Sequence, residues 1–356
     1  MTAIIETDAP GKLVLIGEYA VLEGAPAIAV AVDFRAMVSL QSRKNSECAL
    51  LIRNDDTRIA FHWNPSGKIG WAEPDVGGRG TLLESAVAIL TEYGLMPKEP
   101  PGIALCIGSE SFYSRADDGS TLKLGLGSSA AVSVAVTGAF HRLFTGERAT
   151  KHDLLEICLR VHRRFQGELG SGIDVASALF GGVLSLEPNP ASLPSVTLLE
   201  WPDKLFALPV WTGVPASTTS MLAMADAFRK SSPEHHRLHM VALRNIANET
   251  LQAWRDNDNV MLLAMIKEYS RELENYDSDS NIGIFSPSHR FLQRLSAARG
   301  AVYKPAGAGG GDYGVAFADS SETIARLKSE LRREGFLFTD AELCAEGFRV
   351  LSDAGQ

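Results

Sequence analysis

Lys123, Gly125, Gly127 and the pair Ser128-Ser129 are the residues of this chain whose types and spacing point most directly to chemistry. They open the segment KLGLGSSAAVSVAVTGAF (Lys123 to Phe140), where glycines and hydroxyls precede a long run of small apolar residues. Glycines let successive backbone N–H groups turn inward, and a following helix N-terminus adds unpaired donors and partial positive charge. A polyphosphate suits such a site, and one of the two serine hydroxyls can ligate Mg²⁺ bound to phosphate oxygens. The segment is neither of two common nucleotide motifs. No Gly-Lys-Ser/Thr follows the glycines, and Ala130 stands where the dinucleotide pattern needs a third glycine. Tight packing alone can also produce a small-residue loop ahead of a helix.

Four further segments carry candidate groups. In GSGIDVASALFGG, Asp174 follows a Gly-Ser-Gly turn and reads either as a helix N-cap or as a carboxylate placed to orient or deprotonate a hydroxyl. In APGKLVLIGEYAVLEG, Lys12 enters a buried strand, so its charge calls for a phosphate, for Asp174, or for an exposed strand edge. KPAGAGGGDYGVAF packs four glycines into Gly307 to Gly311, flanked by Lys304 and Asp312; it implies a close approach to a ligand or a flexible connection. WTGVPASTTSM offers Ser217, Thr218, Thr219 and Ser220 ahead of a helical pattern. Capping needs one hydroxyl, so the others suit an anion or a polar substrate tail. His235, His236 and His239 lack metal spacing and read as structural residues of a solvated helix.

The elements that must position these groups follow from periodicity. Ile28 to Phe34 and the run from Met37 read as two strands separated at Arg35 and Ala36, and residues 54–79 as loop. Helices are expected over Leu82 to Tyr93, Ala130 to Phe144 and Asp153 to Phe165, the last with Asp153 as N-cap. A strand at Gly181 to Pro188 leads into a proline-rich connection. Helices then dominate from Thr218 to Ala298, including Glu234 to Trp254 and Val260 to Asn275. Strand, glycine loop, strand (Tyr313 to Phe317), helix (Glu322 to Glu334) and a closing strand near Phe348 to Leu351 complete the chain. This order, without a regular βαβ repeat, gives an α+β fold with units at 1–195 and 196–356.

Composition narrows the function. With 356 residues, 45% apolar, and a formal charge of -9, a globular protein with two cores is expected, without a general nucleic-acid or membrane surface. Any phosphate patch must be local. Four scattered cysteines without C-x-x-C spacing indicate neither zinc nor a disulfide framework, and cytoplasmic residence is the default.

Together, and in this order, the segments resemble the GHMP kinase family from Ala9 to about Phe317. Within it, Gly17-Glu18-Tyr19, Lys123 ahead of GLGSSAA, GSGIDVA and Gly309-Gly310-Gly311-Asp312 are similar to the phosphomevalonate kinase branch. The resemblance implies a two-domain GHMP fold with ATP and acceptor meeting in the cleft between an N-terminal ATP-binding and a C-terminal substrate domain. It implies Gly125, Leu126, Gly127, Ser128, Ser129 and Ala130 as the nucleotide loop, with Ser129 on Mg²⁺. Lys12, Lys123 and Asp174 become the catalytic set. Lys12, Glu18, Tyr19, Ser217, Thr218, Gly309, Gly310 and Asp312 become the substrate set. The implied reaction moves the ATP γ-phosphoryl group to the phosphate of 5-phosphomevalonate, in a monomer or homodimer. Two readings stand beside it: a mevalonate kinase acting on a hydroxyl, and a ligand sensor on the same fold. The metal-binding glutamate of mevalonate kinases falls on Arg163 by gapless counting.

Overall fold

A computed structural model describes residues 3–73, 78–115, 119, 121–167, 170–336, 338 and 342–354. The first half lays down β1 (Ile4–Ile16), β2 (Ala27–Arg43), β3 (Cys48–Ile52), β4 (Thr57–Trp63), β5 (Ile69–Trp71) and helix α1 (Gly78–Glu92). β6 (Gly102–Gly108), the short pair β7 (Tyr113–Arg115) and β8 (Thr121–Lys123), and helices α2 (Ser128–Thr145), α3 (Lys151–Phe165) and α4 (Ile173–Phe180) follow. β9 (Val183–Glu187) and β10 (Ser195–Leu199) close this half. The second half holds β11 (Phe206–Trp211), α5 (Thr218–Ser231), α6 (Pro233–Arg255), α7 (Asn259–Ser280), α8 (Pro287–Ala298), β12 (Val302–Pro305), β13 (Tyr313–Ala318) and α9 (Ser321–Arg333). The last strand, β14 (Arg349–Ala354), returns to the first half and pairs with β1.

The main sheet runs β10-β9-β2-β6-β3-β4-β5, with β1 between β2 and β14. The smaller sheet runs β11-β13-β12. The fold is α+β, as expected. β2 is one continuous strand where two were expected. The expected break lies at Arg35 and Ala36. In the fold, Arg35 is held by Asp8 at 2.7 Å and by the Gly347 carbonyl at 2.8 Å, so its charge is matched without leaving the sheet. Its two ends then serve different neighbours, residues 27–30 pairing with β9 and residues 37–43 with β6. The 54–79 stretch is likewise not all loop: β4 pairs with β3 and β5, burying Ile59 and Phe61, while 74–77 lie outside the described residues.

Helix starts decide where the site forms. α3 is capped by Thr150, whose hydroxyl accepts from the Asp153 N–H while the Asp153 carboxylate accepts from the Thr150 N–H. Asp153 is thus the third residue of a capping box rather than the N-cap. α2 and α4 begin differently. Their N-caps are Gly127 (φ 80°) and Gly172 (φ 84°), in the left-handed region, and neither helix start has a side-chain cap. At α2 the first-turn N–H groups are left for something other than a capping side chain, whereas at α4 the Ile173 N–H donates to the Ser171 hydroxyl at 3.4 Å and the Val175 N–H to Asp174 Oδ1 at 3.0 Å.

Candidate active site

A cleft of ≈ 470 Å³ opens between the two halves, and both uncapped helix starts border it. From the first half come Lys12, Lys123, Gly125, Gly127, Ser128, Ser129, Ser171 and Asp174; from the second come Ala216 to Thr219, Ala306 to Ala308 and Asp312. Segments far apart in sequence therefore converge. Val14, Val21, Leu22 and Leu222 give the cleft one apolar wall.

Backbone contacts explain the convergence. The Lys12 N–H donates to the Leu126 carbonyl at 2.8 Å, tying β1 to the nucleotide-type loop. Gly11 makes this approach possible, since a Cβ there would lie 2.6 Å from that carbonyl oxygen. The stem of Lys12 then crosses Gly127, where a Cβ would come within 3.0 Å of Lys12 Cγ. The ammonium extends toward Gly307, so it lies between two glycine loops. Asp174 was one partner expected for Lys12, but no ion pair joins them among the described residues. Instead Asp174 Oδ1 accepts from the Val175 N–H at 3.0 Å, and Oδ2 lies 3.8 Å from Nε2 of His162. Asp174 is 22% exposed at its side chain, open to the cleft.

Asp312 joins the halves. Its Oδ1 accepts from the Ala216 N–H at 3.1 Å, and its carboxyl packs on Gly125, where a Cβ would sit 2.1 Å from Asp312 Cγ. Burial pushes its carboxyl above the ordinary value, against the Ala216 bond and the pull of the Lys12 and Lys123 charges.

The remaining expected residues divide. Ser217 caps α5, its hydroxyl accepting from the Ser220 N–H at 3.3 Å, and Thr218 and Thr219 face the cleft as further hydroxyls. Leu126 and Ala130 are 1% exposed and sit behind the loop rather than on the cleft wall. Tyr19 borders the cleft but its hydroxyl donates to the Ala308 carbonyl at 2.6 Å, clamping the third glycine loop. Glu18 binds the ammonium of Lys304, and both side chains are at most 1% exposed. Burial works against both charges, raising the Glu18 carboxyl and lowering the Lys304 ammonium, while each charge answers the other.

Gly309 and Gly310 do not line the cleft. A Cβ at Gly309 would strike Ile284 at 2.6 Å, and one at Gly310 would strike Met221 Sδ at 2.8 Å. Their glycines serve packing against the helical half, and Ala306, Gly307 and Ala308 are the loop residues that meet the cleft. Arg163 is exposed and away from the cleft; the α3 residue that meets the site is its neighbour His162. Among the three histidines of α6, His235 is exposed as expected, whereas His236 is 8% exposed and His239 bridges Glu272 at 2.7 Å and Asp279 at 3.0 Å on α7.

No local signal marked His162, and none paired Glu18 with Lys304. The Glu18–Lys304 pair spans 286 residues, and only the fold brings it together.

The GHMP kinases N terminal domain matches residues 86–182. A phosphomevalonate kinase of Streptomyces sp. (strain CL190) is 30% identical over 364 residues, covering 92% of this chain and 94% of its own. A mevalonate kinase of Thermococcus sibiricus is 26% identical, with 96% and 97% covered. The structure of Streptococcus pneumoniae phosphomevalonate kinase in complex with phosphomevalonate and AMPPNP superposes with a TM-score of 0.77 at 18% identity, over 95% of this chain and 99% of that one.

Proposed function

The chain belongs to the GHMP kinase family, and from that premise we propose that it is an ATP-dependent kinase of the mevalonate pathway of isoprenoid synthesis. Its acceptor in this reading is 5-phosphomevalonate, converted to the diphosphate with release of ADP. The observation that carries the choice is the pair of cations on the open side of the cleft. Lys12 and Lys123 both border it, and neither is engaged by a carboxylate ion pair among the described residues. An acceptor phosphate brings about two negative charges at neutral pH. Two lysines beside the nucleotide loop are what such charge requires.

In this reading the N–H groups of the loop from Gly125 to Ser129 hold the nucleotide phosphates, at the uncapped start of α2. Lys12, stretched between the two glycine loops, offsets charge on the transferring group, and Lys123 meets the acceptor phosphate. Phosphoryl transfer depends on positioning and charge neutralisation more than on covalent chemistry. Asp174 orients the acceptor, because an ionised phosphate needs no base to remove a proton. Ser129 and Asp174 both line the cleft beside the nucleotide loop and supply oxygens of the kind Mg²⁺ takes, one or two from the protein beside substrate phosphates. When bound, that ion neutralises developing charge on the phosphate oxygens.

One observation favours mevalonate as the alternative acceptor. The Asp174 carboxylate, open at the start of α4, is placed as a base for a hydroxyl would be. ADP release measured with each acceptor, with product identified by mass, separates the readings. Faster turnover of phosphomevalonate supports the proposal, turnover of mevalonate alone replaces it, and binding of ATP without transfer to either leaves a sensor.

A further inference from the structure

One imidazole in this molecule meets two groups of the cleft at once. His162 lies in the last turn of α3 and is 3% exposed. Its Nε2 is 3.4 Å from the Ser129 hydroxyl and 3.8 Å from Oδ2 of Asp174. The start of α4 packs back on the end of α3 and brings the histidine and the aspartate together, and Gly172 keeps that approach close. A Cβ on Gly172 would lie 2.4 Å from Cδ2 of Leu159, one turn back on α3.

A serine that presents its lone pairs to a cation or a phosphate-bound group must direct its hydroxyl hydrogen elsewhere. For Ser129 the side-chain partner at hydrogen-bond distance, among the described residues, is Nε2 of His162. A neutral imidazole with its proton on Nδ1 offers Nε2 as that acceptor. In this tautomer Nε2 cannot also donate to Asp174, so Oδ2 of the aspartate is left as an acceptor facing the cleft. Outer groups of this kind fix the orientation of the oxygen that does the work, and losing them costs about 10-fold to 100-fold in activity or metal affinity.

Resting on the kinase reading above, we infer that His162 is a positioning residue of the transfer centre. It accepts the Ser129 hydroxyl hydrogen, which turns that oxygen toward the nucleotide phosphates and their cation. It acts through Ser129 and touches no reacting atom.

A double-mutant cycle on Ser129→Ala and His162→Phe tests this, with His162→Gln as the conservative variant that keeps a polar atom near the Nε2 position. A pair acting as one unit shows strong non-additivity. The expected kcat loss for His162→Phe is about 10-fold to 100-fold, with acceptor KM little changed and most activity regained in His162→Gln. In the Ser129→Ala background, His162→Phe should add almost nothing. The same cycle, read as Mg·ADP affinity by calorimetry, needs no acceptor and so stands apart from the acceptor assignment. Weak Mg·ADP binding by wild type would instead defeat the kinase reading itself. Losses that multiply in both readouts, or a His162→Phe enzyme matching wild type, would overturn the inference. Thermal midpoints of all variants identify any that lose the fold, and His162→Gln then carries the test.

Discussion

Two lysines of the glycine-rich segments meet opposite environments. Lys304 is fully buried, its ammonium shared between Glu18 and the Pro305 carbonyl, beneath the cleft. Lys12 lies on the cleft wall, carried over Gly127 toward Gly307 with no carboxylate ion pair among the described residues. Residue type and glycine company are alike; the partner differs. A lysine charge answered inside the protein becomes scaffolding, whereas one left facing a cleft is available to an anionic ligand. The floor also carries its own polar support. Tyr269 donates to the Glu18 carbonyl at 2.9 Å, while His289 is held between Tyr303 and the Gly311 carbonyl. On the cleft wall, Lys12 and Lys123 have no such carboxylate partner among the described residues.

The comparison breaks first at the floor. Lys304→Met leaves the Glu18 carboxylate buried without its cation, and losing one partner of a buried pair costs about 3–5 kcal/mol. Chemical denaturation should show that loss, with much of it recovered when Glu18→Leu is added, since an apolar pair of similar volume replaces a buried ion pair at little cost. An unaffected Lys304→Met protein would show that the floor is not held by this pair.

A second floor test uses pH. Burial lowers His289 to about 4. Its folded value lies below its unfolded one, so the unfolded chain binds the extra proton. The contribution is complete above the ordinary histidine range near pH 6.5 and is lost as pH falls toward 4. A shift of this size corresponds to about 3 kcal/mol at most. Stability of wild type should therefore fall between pH 6.5 and 4 more steeply than that of His289→Gln. Parallel profiles would remove His289 from the acid sensitivity.

Cleft substitutions should spare the fold and spoil turnover. Ser129→Ala should reduce kcat by about 10²-fold, with a thermal midpoint close to wild type. Unchanged kinetics at saturating Mg²⁺ would take Ser129 out of the site. Gly310→Val belongs on the other side of the contrast. Its φ of 76° and the nearby Met221 make it a packing position, so stability should fall before any specific kinetic change. Loss of activity with full stability would return Gly310 to the cleft.

How much of this was legible before the fold depended on how local the cause was. The Gly125–Ser129 loop and the Gly-Ser-Gly turn before Asp174 are visible because a left-handed backbone or an uncapped helix start is written in a few adjacent residues. The long helices α6 and α7 are visible through their apolar period. The strand break placed at Arg35 and Ala36 failed because the Arg35 charge is answered by Asp8, on the neighbouring strand. Gly309 and Gly310 resemble ligand-facing glycines, yet their constraint comes from Ile284 and Met221. His162 carries no local mark at all; only the return of α4 onto α3 gives it Asp174. Backbone demands are local and readable, while partnerships between distant side chains are not.

The acceptor decides the central claim, and Lys123 against Asp174 is the sharpest way to ask. Kinetics of Lys123→Met and Asp174→Asn should be measured with phosphomevalonate and with mevalonate, ATP affinity being followed in parallel. For a phosphate acceptor, Lys123→Met should raise acceptor KM and depress kcat while ATP binding stays nearly intact, and Asp174→Asn should be the milder lesion. For a hydroxyl acceptor the order reverses, because loss of a general base costs roughly 10² to 10⁴ in rate. A dispensable Lys123 beside an essential Asp174, with mevalonate turned over, would contradict the account.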